Sequence, residues 1–114
     1  MAVNGSEQEE GALMRASLRK DGDTAVIRLK GRFDFAGHRE FKRCYEGALT
    51  EPSVHQIDVD LRGVDYLDSS ALGMLLLLRE KAEARHLPVA LLHSSGIVRE
   101  ILDVASFDTM FTMR

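Results

Sequence analysis

The chain has one cysteine, no tryptophan and two prolines in 114 residues. A lone cysteine, Cys44, excludes an intrachain disulfide and suits a reducing compartment. No apolar run approaches the ~20 residues of a membrane-spanning helix, so no membrane insertion is expected. The opening MAVNGSEQEEG lacks the apolar centre of a signal peptide, and cytoplasm is the expected location. His38, His55, His86 and His93 are scattered without metal-ligand spacing and read as surface residues; no metal or other cofactor is expected. Neither G-x-x-x-x-G-K-[ST] nor G-x-G-x-x-G occurs, and no serine sits in a G-x-S-x-G elbow. Asp58, Asp60 and Asp65 invite comparison with a phospho-accepting receiver. Such a site needs an acidic pair after the first strand and a lysine near the last, so these three read as solvated strand and loop carboxylates. A net charge of -3 offers no basic surplus for nucleic acid. The chain is not expected to be an enzyme.

What remains describes an ordinary globular domain, with 45% hydrophobic and 29% charged residues. Residues 1–12 are polar and acidic and read as a flexible tail, leaving 13–114 as one domain. Leu13–Arg19 and Thr24–Lys30 flank an Asp-Gly pair and predict a hairpin. Phe41, Cys44, Tyr45, Ala48 and Leu49 recur at helical spacing within Ala36–Leu49. Gln56–Leu61 alternates polar and apolar, predicting a strand with one face partly open and helices packed on the other. A helix from Ser69 or Ser70 to about Arg85, a strand at Val89–Leu92, a helix to about Val104 and a strand at Thr109–Met113 complete the order. The expected class is α/β, a mixed central sheet of about five strands with helices mainly on one face.

The most informative stretch is YLDSSALGMLLLL, Tyr66–Leu78. Asp68, Ser69 and Ser70 are strong helix N-cap types, and the residues after them, Ala71–Leu78, carry no charge. A helix on a sheet normally turns a polar face to water, and these two turns have none. Part of this surface must pack on the sheet. The remainder is either a docking surface beside Ser69 or is covered by the chain's own first helix or last segment. Gly73 inside the helix costs ~1 kcal/mol against Ala and suggests close approach of a neighbour. Arg79 and Glu83 are spaced as a surface i,i+4 pair.

DSSALG after a strand and before a Leu-rich helix resembles the STAS domain of bacterial anti-sigma factor antagonists. GRFD at Gly31–Asp34 and IVREIL at Ile97–Leu102 extend the resemblance from about Leu13 onward. Ala71 stands where many members have Gly. The resemblance implies that Ser69 is phosphorylated by a partner kinase, with Ser70 the second choice. It also implies that Asp34, with neighbouring Phe35 and His38, contacts the partner beside Asp68, Ser69, Ser70, Leu72, Gly73 and Leu76. Asp34 equally suits an N-cap. The implied partners are an anti-sigma factor or serine kinase of the histidine-kinase-like ATPase type and a PP2C-type phosphatase. GRFDFAGHREF with YLDSSALGMLLLLR is similar to the proteobacterial HsbA type.

The implied function is partner switching in transcription regulation, the unphosphorylated form binding and the Ser69-phosphorylated form letting go. Phosphorylation adds roughly -1.5 to -2 charges, which a helix N-terminus tolerates and an apolar interface beside Asp68 does not. The alternatives are a STAS subunit of a lipid-transport ATPase complex without phospho-control and, third, a small phosphotransfer enzyme.

Overall fold

The strands follow from the alternation. In the computed structural model, which describes residues 14–114, β1 (Arg15–Asp21) and β2 (Thr24–Phe33) form an antiparallel hairpin. The expected tail, residues 1–12, lies outside the described residues. Gly22 opens the two-residue turn at φ +65°, a left-handed value that side chains with a Cβ disfavour. A 3-10 turn (Phe35–Gly37) leads into α1 (His38–Thr50). Then follow β3 (Gln56–Leu67), α2 (Ser69–Glu83), β4 (Val89–Leu92), α3 (Gly96–Val104), a 3-10 turn (Phe107–Thr109) and β5 (Thr112–Met113). The sheet order is β1-β2-β3-β4-β5, antiparallel in the first pair and parallel in the rest. The described residues form a small α/β domain with a mixed five-stranded sheet and three α-helices.

One buried cluster joins Ala25, Ile27 and Leu29 of β2 and Ile57, Val59 and Leu61 of β3 to all three helices. Phe41 of α1 packs on Phe33 at 5.1 Å between centroids and edge-on to Tyr45 at 5.4 Å. The intervening strand residues Val26, Arg28, Lys30, Asp58, Asp60 and Ala90 fall outside this cluster, so the helices share one face. Asp58 and Asp60 are not solvated, as their alternation suggested. They are 8% and 6% exposed and lie among arginines, because the crowded sheet surface draws guanidinium stems over them.

Three elements differ most from expectation: β2 runs on to Phe33 instead of ending at Lys30. β3 continues past Leu61 to Leu67, with register shifts opposite Arg28–Lys30 and Gly31–Arg32. Each bulge adds a residue, so inward positions after Leu61 fall at Val64 and Leu67, in threes instead of twos. The final strand is only Thr112–Met113. Phe107 and Phe111 both bury and stack at 5.2 Å, which needs a helical turn, and the Phe111 N–H donates to the Phe107 carbonyl at 2.9 Å.

Candidate docking and modification site at the N-terminus of α2

The extended β3 delivers the chain to Asp68, which caps α2. Its Oδ1 accepts from the Ala71 N–H at 2.9 Å and from the Ser70 hydroxyl at 2.7 Å. Burial pushes this carboxyl up, but the hydrogen bonds from Ser70, from the Ala71 and Phe35 N–H groups and from the Ser70 N–H outweigh it and hold the pKa below the ordinary value. Asp68 also donates its own N–H to the Phe33 carbonyl at 3.2 Å. The loop after β2 and the start of α2 are thus tied together twice, once through each side of Asp68.

The two serines differ. Ser70 is half-buried and its hydroxyl is engaged by Asp68, whereas Ser69 is exposed. Across the tie, Asp34 caps the 3-10 turn, accepting from the Ala36 N–H at 3.0 Å, and pairs with Arg32 at 3.2 Å. Arg32 in turn lies over the Tyr66 ring, 4.8 Å from its centroid. Phe35 is 76% exposed, a large apolar ring in water beside the cap. His38 opens α1 and is exposed.

α2 divides its uncharged run between two duties. Ala71, Met74, Leu75 and Leu78 are buried against the sheet. Leu72 is half-buried and turns toward α3, while Gly73 is exposed and a Cβ built on it would meet nothing within 4 Å. Leu76 and Leu77 are each 38% exposed. The close neighbour expected for Gly73 is therefore not found among the described residues. Leu77 was not singled out by the sequence reading, although the same uncharged run contains it.

Also missed was the apolar side of α3. Ile97, Ile101 and Val104 line an open groove of about 340 Å³ with Leu72 and Ala105, and Val104 is 87% exposed. Their i, i+4, i+7 spacing in IVREILDV was the available signal. The surface around Ser69 thus sets one exposed serine beside exposed apolar side chains. Among the described residues no acidic, His and Cys groups gather as a metal site, and no helix is long and apolar enough to cross a membrane.

Residues 16–113 match a family model described as "Mlab, STAS domain". A STAS-domain containing protein of Pseudomonas aeruginosa (strain UCBPP-PA14) is 44% identical over 91 residues, 80% of this chain and 88% of that one. Among solved structures, the anti-sigma factor antagonist SpoIIAA in its unphosphorylated form superposes with a TM-score of 0.68 at 24% identity, covering 87% of this chain and 86% of that one. An anti-sigma factor antagonist from Mycobacterium paratuberculosis gives 0.74 at 17% identity, over 90% and 86%. At those identities the two structures speak for the fold, while the family match spans nearly every described residue: this chain belongs to the STAS domain family.

Proposed function

We propose that the chain is an anti-sigma factor antagonist that works by partner switching. Its unphosphorylated form binds an anti-sigma factor, itself a serine kinase of the histidine-kinase-like ATPase type, through the start of α2. Phosphorylation of Ser69 releases that partner, and a PP2C-type phosphatase restores binding. The observation that carries this reading is the exposed Ser69 hydroxyl set beside exposed Gly73, Leu76 and Leu77. The anti-sigma factor antagonist role of the structural relatives supports it. Asp34, Phe35 and His38 form the polar and aromatic rim of the same surface, next to Asp68, Ser70 and Leu72.

A phosphate at Ser69 sits at the positive end of α2, so the fold tolerates it. Against a partner's apolar surface the same anion is desolvated and lies beside the ionised Asp68. An uncompensated buried charge costs several kcal/mol, and ~1.4 kcal/mol is tenfold in affinity. Ser69→Asp is expected to weaken binding to the kinase partner at least tenfold while melting stays nearly unchanged. Kinase and ATP should add one phosphate by intact mass, mapped to Ser69 and lost in Ser69→Ala. Equal affinity of the two forms sinks the switch. Binding of a transport ATPase without any phosphoryl transfer points to the lipid-transport reading instead.

A further inference from the structure

The sheet face turned away from the helices carries charge that the docking surface does not use. Register places Arg15 beside Lys30 and Gly63, and Ser17 beside Arg28 and Asp60, with Asp58 in a further row opposite Val26. Asp60 pairs with Arg28 at 3.7 Å and accepts from the Arg62 N–H at 3.0 Å. Asp58 pairs with Arg114 at 3.0 Å and accepts from Gln56 at 2.7 Å. Both carboxylates are buried and occupied, and they fix the exposed guanidinium groups above them. Beside the first bulge, Arg28, Lys30 and Arg62 line an open groove of about 210 Å³, with Asp60 the one acidic lining residue among the described residues. Arg62 is held there by its Nη2, 3.0 Å from His93 Nε2. A chain of net charge -3 thus gathers cations at one small concavity.

We propose that this groove binds the phosphate-bearing head of an anion with two or more negative charges. Guanidinium forks match phosphoryl oxygens in pairs, and two of the three cations are arginines. The cations stand on adjacent strands ~4.8 Å apart, with Arg15 one strand further, which spans more than one phosphoryl group. The groove is smaller than the ~300–1,000 Å³ that encloses a whole ligand, so it takes the head and leaves the remainder in water. A phosphorylated metabolite and a phospholipid head group share this chemistry. The site lies on the opposite face of the sheet from the helix that carries Ser69, so its success or failure is independent of the partner switch.

Pyrophosphate titrated into the isotope-labelled full chain should shift backbone amide resonances of residues 28–31 and 60–63. Apparent affinity should fall at least tenfold when salt is raised from about 50 mM to about 500 mM. The double variant Lys30→Gln/Arg62→Gln leaves the Arg28–Asp60 pair intact and should weaken binding at least tenfold with unchanged melting. Co-sedimentation with anionic but not zwitterionic vesicles, competed by pyrophosphate, assigns a lipid head; pyrophosphate binding without vesicle binding assigns a free anion. The proposal is overturned if millimolar pyrophosphate leaves these amides unmoved, or if the double variant binds it as well as the parent.

Discussion

At the scale of the residue, Asp68 is the hinge of the site. One carboxylate caps α2, engages Ser70 and holds the preceding loop through the Phe35 N–H. Removing such a cap costs ~1 kcal/mol. Asp68→Ala is expected to lose about that much at neutral pH, measured by urea unfolding. The sign with pH follows from linkage. The folded carboxyl has a lowered pKa, so its contribution is present above the ordinary carboxylate value of about 3.9 and is lost as pH falls through the folded value. The gap between parent and Asp68→Ala should narrow below about pH 4 and stay constant above about pH 5; a gap that widens on acidification contradicts the assignment. The choice between Ser69 and Ser70 was not derivable from composition or periodicity, since both are capping types. Only the resemblance ranks them; in the fold they differ in that the Ser70 hydroxyl donates to Asp68 while Ser69 is exposed.

At the scale of the element, α2 is a helix with two apolar faces, and that is why its sequence resists an amphipathic reading. The run Ala71–Leu78 told that some leucines must face away from the sheet, but not which ones. Helical phase relative to the sheet decides this, and that phase is set by Asp68, where the bulged β3 ends. The bulges were themselves illegible, because a period-2 pattern ends at Leu61 and inward residues spaced in threes look like loop. The hairpin, α1, β4 and α3 were legible because their patterns are local and uninterrupted. Gly73 tests the exposed face. Its φ is not left-handed, and its Cβ position is open. Gly73→Ala should therefore raise stability by up to ~1 kcal/mol, seen as a higher melting temperature. If a partner backbone approaches there, the same change weakens partner binding. A stabilised variant with full affinity would move the docking surface away from Gly73 toward Leu77 and the α3 groove.

At the scale of the whole molecule, the two faces of the sheet solve burial differently. The helix face is dry, and its apolar alternation could be read directly. The open face buries two carboxylates, which strand alternation alone reads as solvent-facing; their partners, Arg28 and Arg114, come from a neighbouring strand and from the residue after β5. Such long-range pairing leaves no local signature. Arg114 also joins the sheet through its backbone, donating to the Leu91 carbonyl at 2.9 Å and accepting from the His93 N–H at 2.7 Å. Replacing its side chain isolates the ion pair from these bonds. Arg114→Ala is expected to cost about 1–2 kcal/mol, below the full value of a charged hydrogen bond because the guanidinium is half exposed. Lys30→Ala on the same face, which has no carboxylate within ion-pair distance among the described residues, should stay within about 0.5 kcal/mol. The double variant Asp58→Asn/Arg114→Ala completes the cycle. If Asp58 is the reason for the loss, the second change costs less in the presence of the first, and the double variant loses less by urea unfolding than the sum of the Arg114→Ala and Asp58→Asn losses. Purely additive losses would mean that Arg114 stabilises β5 by packing, and that Asp58 is satisfied by Gln56 alone.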